Sequence, residues 1–423
     1  MDLEGVARKL IPDEEEARKR IVEWLEFYKG KRELNYKIAS SVLTEVKNSL
    51  RFTKFAFPVS GLRAGETGLG SRGLGDNLIH RMLFKLSKID LQNYDDAGLR
   101  EDVVVAIDGI HSRLSYFPFL AGFHATRASL RDIMVKGARP LGLLVDIHLS
   151  DDSDVGMLFD FQAGVSTVSE AMSVPILTGS TLRIGGDVVI GERISGAVGA
   201  VGKRTRDYSR RNVKKGLRIV MTEGHGGGTI SSMALFYGID GVVEETLRLQ
   251  DLRACEVVRE KLYHVVKSMT DVTNGGIRGD ALEISQVSSV SFVIDESRFV
   301  NLVNPKIVKA MEEMKADVFG LSIDSILIFT DDPDAVIGTL VKENIRSDVI
   351  GEVTEWRGYP ILTYSGKEMR PSFRETPYTP VKAVIGNSTP YTLGEIETRL
   401  NEALEASLKK KEWVLKNLKV TNR

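Results

Sequence analysis

Aspartates define the chemistry this sequence can be asked to perform. Asp95 and Asp96 stand side by side, Asp108 closes a β-branched run, and Asp132 sits in a segment with apolar periodicity. Asp271 opens a polar loop, Asp271-Val272-Thr273-Asn274-Gly275-Gly276. Magnesium takes oxygen ligands and keeps water and substrate phosphates in its shell, so several carboxylates at strand ends suit a metal–nucleotide site. Each also has an ordinary structural reading. Aspartates are common in turns, and periodicity alone puts Asp132 on a solvated helix face. A second element, Glu223-Gly224-His225-Gly226-Gly227-Gly228-Thr229, joins a strand to a helix. Its glycines would let backbone amides approach a phosphate at a helix N-terminus; a tight turn explains it equally well. No Gly-x4-Gly-Lys-Ser/Thr pattern occurs, which excludes a Walker loop.

Nucleophilic catalysis has little support. His111, His124, His148, His225 and His264 lack metal-type spacing with one another or with cysteine. Cys255 is the one cysteine, in a helical stretch, and reads as a buried structural thiol. A single cysteine excludes an intrachain disulfide framework and a thiolate zinc cluster, and it points to a reducing cytoplasm. The 423 residues are 42% hydrophobic and 27% charged, with net charge -1. That is the composition of a soluble globular chain of two or three domains. No basic field favours nucleic acid or an anionic membrane. No apolar run approaches the roughly 18 residues of a membrane span, and the first residues do not read as a signal peptide.

The elements that must position these groups alternate. Residues 1–55 read as a helical extension for packing or oligomerisation, with Ile21, Trp24, Leu25 and Tyr28, then Ile38, Val42, Val46 and Leu50, at helical spacing. Glycines crowd residues 61–75, ahead of a helix over 77–86. A strand follows at 103–107. The helix at 119–135 turns Phe123, Leu130, Ile133 and Met134 to one side, with Gly137 placed as its cap. Next come a strand at 141–149, a helix capped within 151–154 and running to 172, and strands at 175–178 and 194–201. The basic stretch 203–215, with Arg204, Arg206, Arg210, Arg211 and Lys214, reads as a solvated domain junction, with phosphate contact as the alternative. A second series runs through a strand at 217–222, helices at 229–236 and 246–269, strands at 290–294 and 321–329, a helix at 334–343 and a strand at 349–353. From Thr392 the chain looks helical. The fold class is α/β: two mixed domains with helical ends, divided as 1–55, 56–205, 206–375 and 376–423.

In this order the segments resemble the superfamily of aminoimidazole ribonucleotide synthetase, formylglycinamidine synthase, selenophosphate synthetase, thiamine-monophosphate kinase and the hydrogenase-maturation dehydratase. The resemblance rests on Asp95-Asp96-Ala97, Asp108-Gly109, Arg131-Asp132-Ile133 followed by Gly137-Ala138-Arg139-Pro140, Thr178-Gly179-Ser180-Thr181, the Asp271 loop, and Gly320-Leu321-Ser322. It implies an N-terminal ATP- and metal-binding domain that dimerises through its sheet and a C-terminal α/β domain. It also implies ATP with Mg2+, and phosphorylation of a small oxygen-bearing substrate by positioning and charge neutralisation. Asp95, Asp96, Asp108, Asp132 and Asp271 carry over as metal candidates. Asn77, Gly109, Thr178, Gly179, Ser180, Thr273 and Asn274 carry over to the nucleotide. His111, Arg113, His225, Gly226, Gly227 and Gly228 carry over to the substrate pocket. Four departures stand out: Arg131 where asparagine is usual, Ser180 where an acid is common, no cysteine near the N-terminus, and an end, Val420-Thr421-Asn422-Arg423, without the cysteine of hydrogenase maturation. They imply a divergent relative, and leave open a nucleotide-binding regulatory or scaffold protein without turnover.

Overall fold

The computed structural model describes residues 1–375 and 378–418. The Val420-Thr421-Asn422-Arg423 end and parts of the 376–423 tail read above lie outside them. Apolar periodicity builds α1 (Leu3–Leu10), α2 (Glu14–Lys29) and α3 (Glu33–Arg51). Leu3, Ile21, Leu25, Val42 and Val46 bury against one another in a core of their own. Lys29 ties this bundle to the rest by pairing with Asp151 and Asp152. Those two aspartates are therefore not helix caps. Only Asp154 serves the next helix start, accepting the Gly156 N–H at 2.6 Å. The glycine-rich loop ahead of α4 (Leu74–Ser87) is fixed by Asp76, whose carboxylate accepts the N–H groups of Gly70 at 2.9 Å and Arg72 at 3.0 Å.

The first sheet has the order β1-β2-β5-β3-β4, with β1 (Gly98–Arg100), β2 (Val103–Gly109), β3 (Ala138–Leu149), β4 (Ile176–Arg183) and β5 (Ile194–Arg204). β3 and β4 run parallel; the other pairs are antiparallel. β3 starts earlier than expected and carries Pro140 at a bulge, where the missing N–H costs no ladder bond. The helices α5 (Pro118–Val135) and α6 (Gly156–Met172) cover one face. The other face leaves Val103, Val105, Ile107, Leu144 and Leu182 exposed.

The second sheet has the order β12-β11-β8-β10-β6-β9-β7. Its strands are β6 (Arg218–Thr222), β7 (Val266–Asp271), β8 (Val290–Ile294), β9 (Ile326–Thr330), β10 (Ser347–Glu355), β11 (Ile361–Thr363) and β12 (Glu368–Met369). Around it lie α7 (Gly228–Tyr237), α8 (Gln250–Lys261), α9 (Gly276–Ser288), α10 (Glu296–Asn301), α11 (Pro305–Glu313) and α12 (Pro333–Lys342). Both faces are covered. Along β9, Ile326 and Ile328 join the core shared with α5 and the first sheet, while Leu327 and Phe329 join a second core with α7, α9 and α11. The helix expected over 246–269 ends at Lys261, and residues 266–269 enter β7. An apolar run this short satisfies both periods, and pairing beside β9 decides for strand. The expected strand 321–329 begins only at Ile326, because residue 324 turns to φ 53.

The chain closes with α13 (Pro380–Ile385) and α14 (Leu393–Asn417). Thr392 and Glu395 form a capping box at the start of α14. The approach to α13 crosses the glycine-rich loop, where Leu74 N–H donates to Ser372 O at 2.9 Å and Gly75 N–H to Phe373 O at 3.2 Å. Among the described residues no helix is long and apolar enough to cross a membrane.

The tightest helix crossing is α5 on α6. A Cβ on Gly164 would lie 2.1 Å from the Phe119 carbonyl oxygen. Gly164→Ala should therefore destabilise the fold by about 1–3 kcal/mol, read as a lower urea midpoint with unchanged slope.

Candidate functional site

A cavity of about 810 Å³ opens where the end of β2, α5, the start of α7 and the glycine-rich loop meet. Asp95, Asp96, Asp108 and Asp132 line it, as do Gly109, His111, Gly228, Thr273 and Asn274. The other expected residues lie elsewhere. Asp271 ends β7, 1% exposed and held by Arg131. Asn77 exchanges hydrogen bonds with Gln286 at 3.3 and 3.1 Å. Thr178, Gly179 and Ser180 border a separate hollow on the open face of the first sheet. Arg113 stacks on the Phe236 ring at 4.1 Å. His225 sits 3.5 Å from Glu223, and the Gly226 carbonyl accepts from Arg127 at 2.9 Å. Gly227 packs against Asp324.

Three buried arginines organise the acids. Arg127 donates through Nε to both oxygens of Asp251, at 3.0 and 2.9 Å. Arg131, one turn on, reaches Asp251 at 2.9 Å, Asp324 at 2.8 Å, and Asp271. Arg210 pairs with Glu283 at 2.6 Å and with Asp96, and donates to Thr270 at 3.1 Å. Arg210 is 1% exposed, which corrects the reading of 203–215 as a solvated junction. Lys203 and Arg204 belong to β5. Lys136 pairs with Asp95, which also accepts the Arg210 backbone N–H at 3.1 Å. Removing one partner of such a pair strands a buried charge.

This leaves Asp108, at the end of β2, and Asp132, in the last turn of α5. Neither has a hydrogen bond to its carboxylate or an ion pair among the described residues. Burial pushes the Asp108 carboxyl up to about 6, against the pull of Arg131 and Arg72. Burial, then the charges of Asp271, Asp108 and Asp96, push Asp132 well up. Burial likewise raises Asp96 to about 7, despite Arg210. The paired acids behave oppositely. Burial opposes ionisation of Glu283 and Asp324, yet Arg72 and Arg210 hold Glu283 near 2, and Arg131 and Arg127 hold Asp324 well down.

Unpaired carboxylates forced together form a sink for positive charge. Among the described residues no group of three or more His, Cys, Asp or Glu encloses a metal ion as it stands. Magnesium commonly rests on one or two carboxylates, with substrate phosphates and water completing the shell. The oxygen donors Asp108 and Asp132 fit that role. Sequence reasoning missed Arg210, Asp280, Glu283, Asp324 and Lys382. Asp280 and Glu283 form an i, i+3 acidic pair after two glycines, a signal that could have been read. Asp280 Oδ2 is buried without a partner. Asp324 and Lys382 sit in no pattern.

Comparison with known proteins supplies an independent line. Residues 94–203 match the AIR synthase related protein N-terminal domain, and 214–362 match its C-terminal domain. An uncharacterized protein of Methanocaldococcus jannaschii is 42% identical over 455 residues, covering 99% of this chain and 98% of that protein. A thiamine-monophosphate kinase of Archaeoglobus fulgidus is 24% identical over 270 residues, covering 61% of this chain and 85% of the kinase. Among solved structures, hydrogenase maturation protein HypE in complex with ATP shares the fold, with TM-score 0.53 and 16% identity over 78% of this chain and 98% of that chain.

The raised carboxyls have a sign that can be checked in chelator-treated protein. A folded-state value of about 6 for Asp108 means that the native chain binds more protons than the unfolded chain between its ordinary value of 3.8 and 6. Its contribution to stability is lost as pH rises through that window. Asp108→Asn should therefore stabilise the metal-free protein at pH 8 by roughly 1–3 kcal/mol, with the difference vanishing near pH 4, as measured by thermal unfolding.

Proposed function

The chain belongs to the AIR synthase related protein family, and on that premise we propose that it is an ATP-dependent, magnesium-requiring enzyme that phosphorylates a small oxygen-bearing substrate. One observation carries the reading: Asp108 and Asp132 are repelling, unpaired carboxylates in a cavity walled by both family domains. Relatives named as a kinase and as an ATP complex support it.

In this reading Asp108 and Asp132 would hold the cation, with Asp96 beside them. A bound Mg2+ would neutralise phosphate charge as the γ-phosphoryl group moves. Gly109, Thr273 and Asn274 border the phosphates. A substrate oxygen forms the new bond to phosphorus while the bond to the β-phosphate oxygen breaks and ADP leaves. Arg131 acts by position: it fixes Asp271 and Asp324 and so sets α5, with Asp132, against the second sheet. The acceptor is a small molecule, and the single buried thiol Cys255 suits a reducing cytoplasm.

A second reading draws on the same arginine. With Arg131 bound to Asp271, one expected metal ligand is engaged, and the protein would bind nucleotide in a regulatory or scaffolding role without turnover. ADP release under metabolite panels separates the two. We also propose a homodimer through the first sheets, because Val105, Ile107 and Leu144 form an exposed apolar face.

Calorimetry should show nucleotide binding that depends on magnesium, and Asp132→Asn should weaken it about ten-fold or more. Absence of magnesium-dependent binding in the unmodified chain would sink the proposal. For the dimer, Val105→Glu should shift sedimentation to the monomer; a monomeric parent protein would refute it.

A further inference from the structure

The cavity is not acidic throughout. One wall carries positive charge. Lys382 on α13 lines the same cavity as Asp108 and Asp132, and also a neighbouring hollow of about 780 Å³. Its ammonium lies 3.8 Å from the centre of the Tyr378 ring and has no hydrogen bond or ion pair among the described residues. No carboxylate among the described residues pairs with it, although acids line other parts of the same cavity.

Next to it stands the start of α7. Gly228 and Thr229 line the cavity. Thr229 is 1% exposed, and its hydroxyl oxygen is buried without a hydrogen-bond partner. A buried hydroxyl left unpaired costs free energy, which a ligand atom would recover. Gly228 lets the helix end approach His111, since a Cβ there would lie 2.3 Å from the imidazole Cδ2. Burial holds His111 down at about 4, so the ring is neutral at pH 7 and can donate one hydrogen bond. Behind them, Arg113 keeps a buried Nε without a partner. Asp324 packs on Gly227 at this helix end, but Arg131 and Arg127 neutralise it. The unpaired ammonium, the unpaired hydroxyl and the helix N-terminus are then complementary to a further anion.

We propose that this wall is an anion subsite for the phosphoryl acceptor. A carboxylate or phosphate group of the substrate binds Lys382 Nζ, Thr229 Oγ1 and the N-terminus of α7, beside neutral His111. The assignment rests on the function proposed above, which places nucleotide and magnesium at the acidic wall. Opposite charges on the two walls orient the acceptor. Its anionic end points to Lys382, and its reacting oxygen to the side of Asp108 and Asp132. The substrate class is thus a small acid or phosphomonoester with a second, phosphorylatable oxygen. Lys382 and Tyr378 also lie beyond residue 362, where the match to the C-terminal family domain ends. The subsite therefore combines His111 and Thr229 of the two matched domains with a lysine outside them.

The test is calorimetric titration of the full chain with inorganic phosphate and, separately, with succinate, both without magnesium and nucleotide. At least one probe should bind. Lys382→Gln should weaken it about ten-fold or more, and Thr229→Val about five-fold, with Lys382→Arg retaining most of the affinity. Magnesium–ATP affinity should stay within about two-fold in the same variants, because the two subsites share no partner. A preference for phosphate identifies a phosphomonoester, and a preference for succinate a carboxylic acid. Failure of both probes to bind, or wild-type affinity in both Lys382→Gln and Thr229→Val, overturns the inference. Parallel loss of magnesium–ATP affinity would give the wall to the nucleotide, overturning the inference and leaving the proposed function intact. A parent chain that binds an anion but no magnesium–ATP overturns the proposed function, and with it the assignment of that anion to an acceptor.

Discussion

Two arginines one turn apart on α5 hold the two halves of this molecule in register. Arg127 and Arg131 project from one helix face and meet Asp251 on α8, Asp271 at the end of β7 and Asp324 before β9. Charges this deeply buried persist only where each has a partner. The second half therefore has to dock with its three carboxylates on that face. The apolar surroundings agree with the ionic ones. The core under the first sheet runs through α5 into Leu252, Val258, Met269 and Ile328 of the second half. α5 is shared structure, and the acid at its end inherits that rigidity.

The same residue type then takes two roles according to its neighbours. Asp271, Asp324 and Glu283 are clasped by guanidinium groups and serve as framework. Asp108 and Asp132 sit a few residues from those pairs without a cation of their own. Burial opposes the ionisation of both, and the charges of Asp271 and Asp108 add to it at Asp132. The framework acids keep the arginines in place, and the arginines leave two carboxylates free to face the cavity. Such a division needs a large buried network, because a lone pair of acids would move apart into water.

The sequence made much of the scaffold legible. Phe123, Leu130, Ile133 and Met134 predicted the buried side of α5, and the β-branched run 103–107 predicted β2, though not its alternately buried and exposed faces. It failed where two patterns coincide, as at residues 262–269, or where tertiary pairing decides. Arg210 looked like one more surface base in a basic stretch. Only folding brings Asp96 and Glu283 to it, from 114 and 73 residues away. At the site, the order of Asp95, Asp96, Asp108 and Asp132 was readable, while their division into paired and unpaired was not. Arg131 read as a departure from a pattern because its three partners lie at least 120 residues further on. Lys382 was invisible for the same reason, being defined by what surrounds it in space.

The crossing of the glycine-rich loop by residues 372 and 373 has a consequence for how the protein comes to be made. Asp108 and Asp132 leave the ribosome early, and the chain that supplies their opposite wall emerges some 250 residues later, at Lys382. Domains assemble as they are synthesised, beginning from the N-terminus. Throughout that interval the acidic wall stands open, and the loop that helps to cover it lacks the backbone carbonyls of Ser372 and Phe373 that hold it. The lining of the cavity is thus completed late. A nascent chain stalled before α13 lacks the Lys382 that closes one side of the cavity.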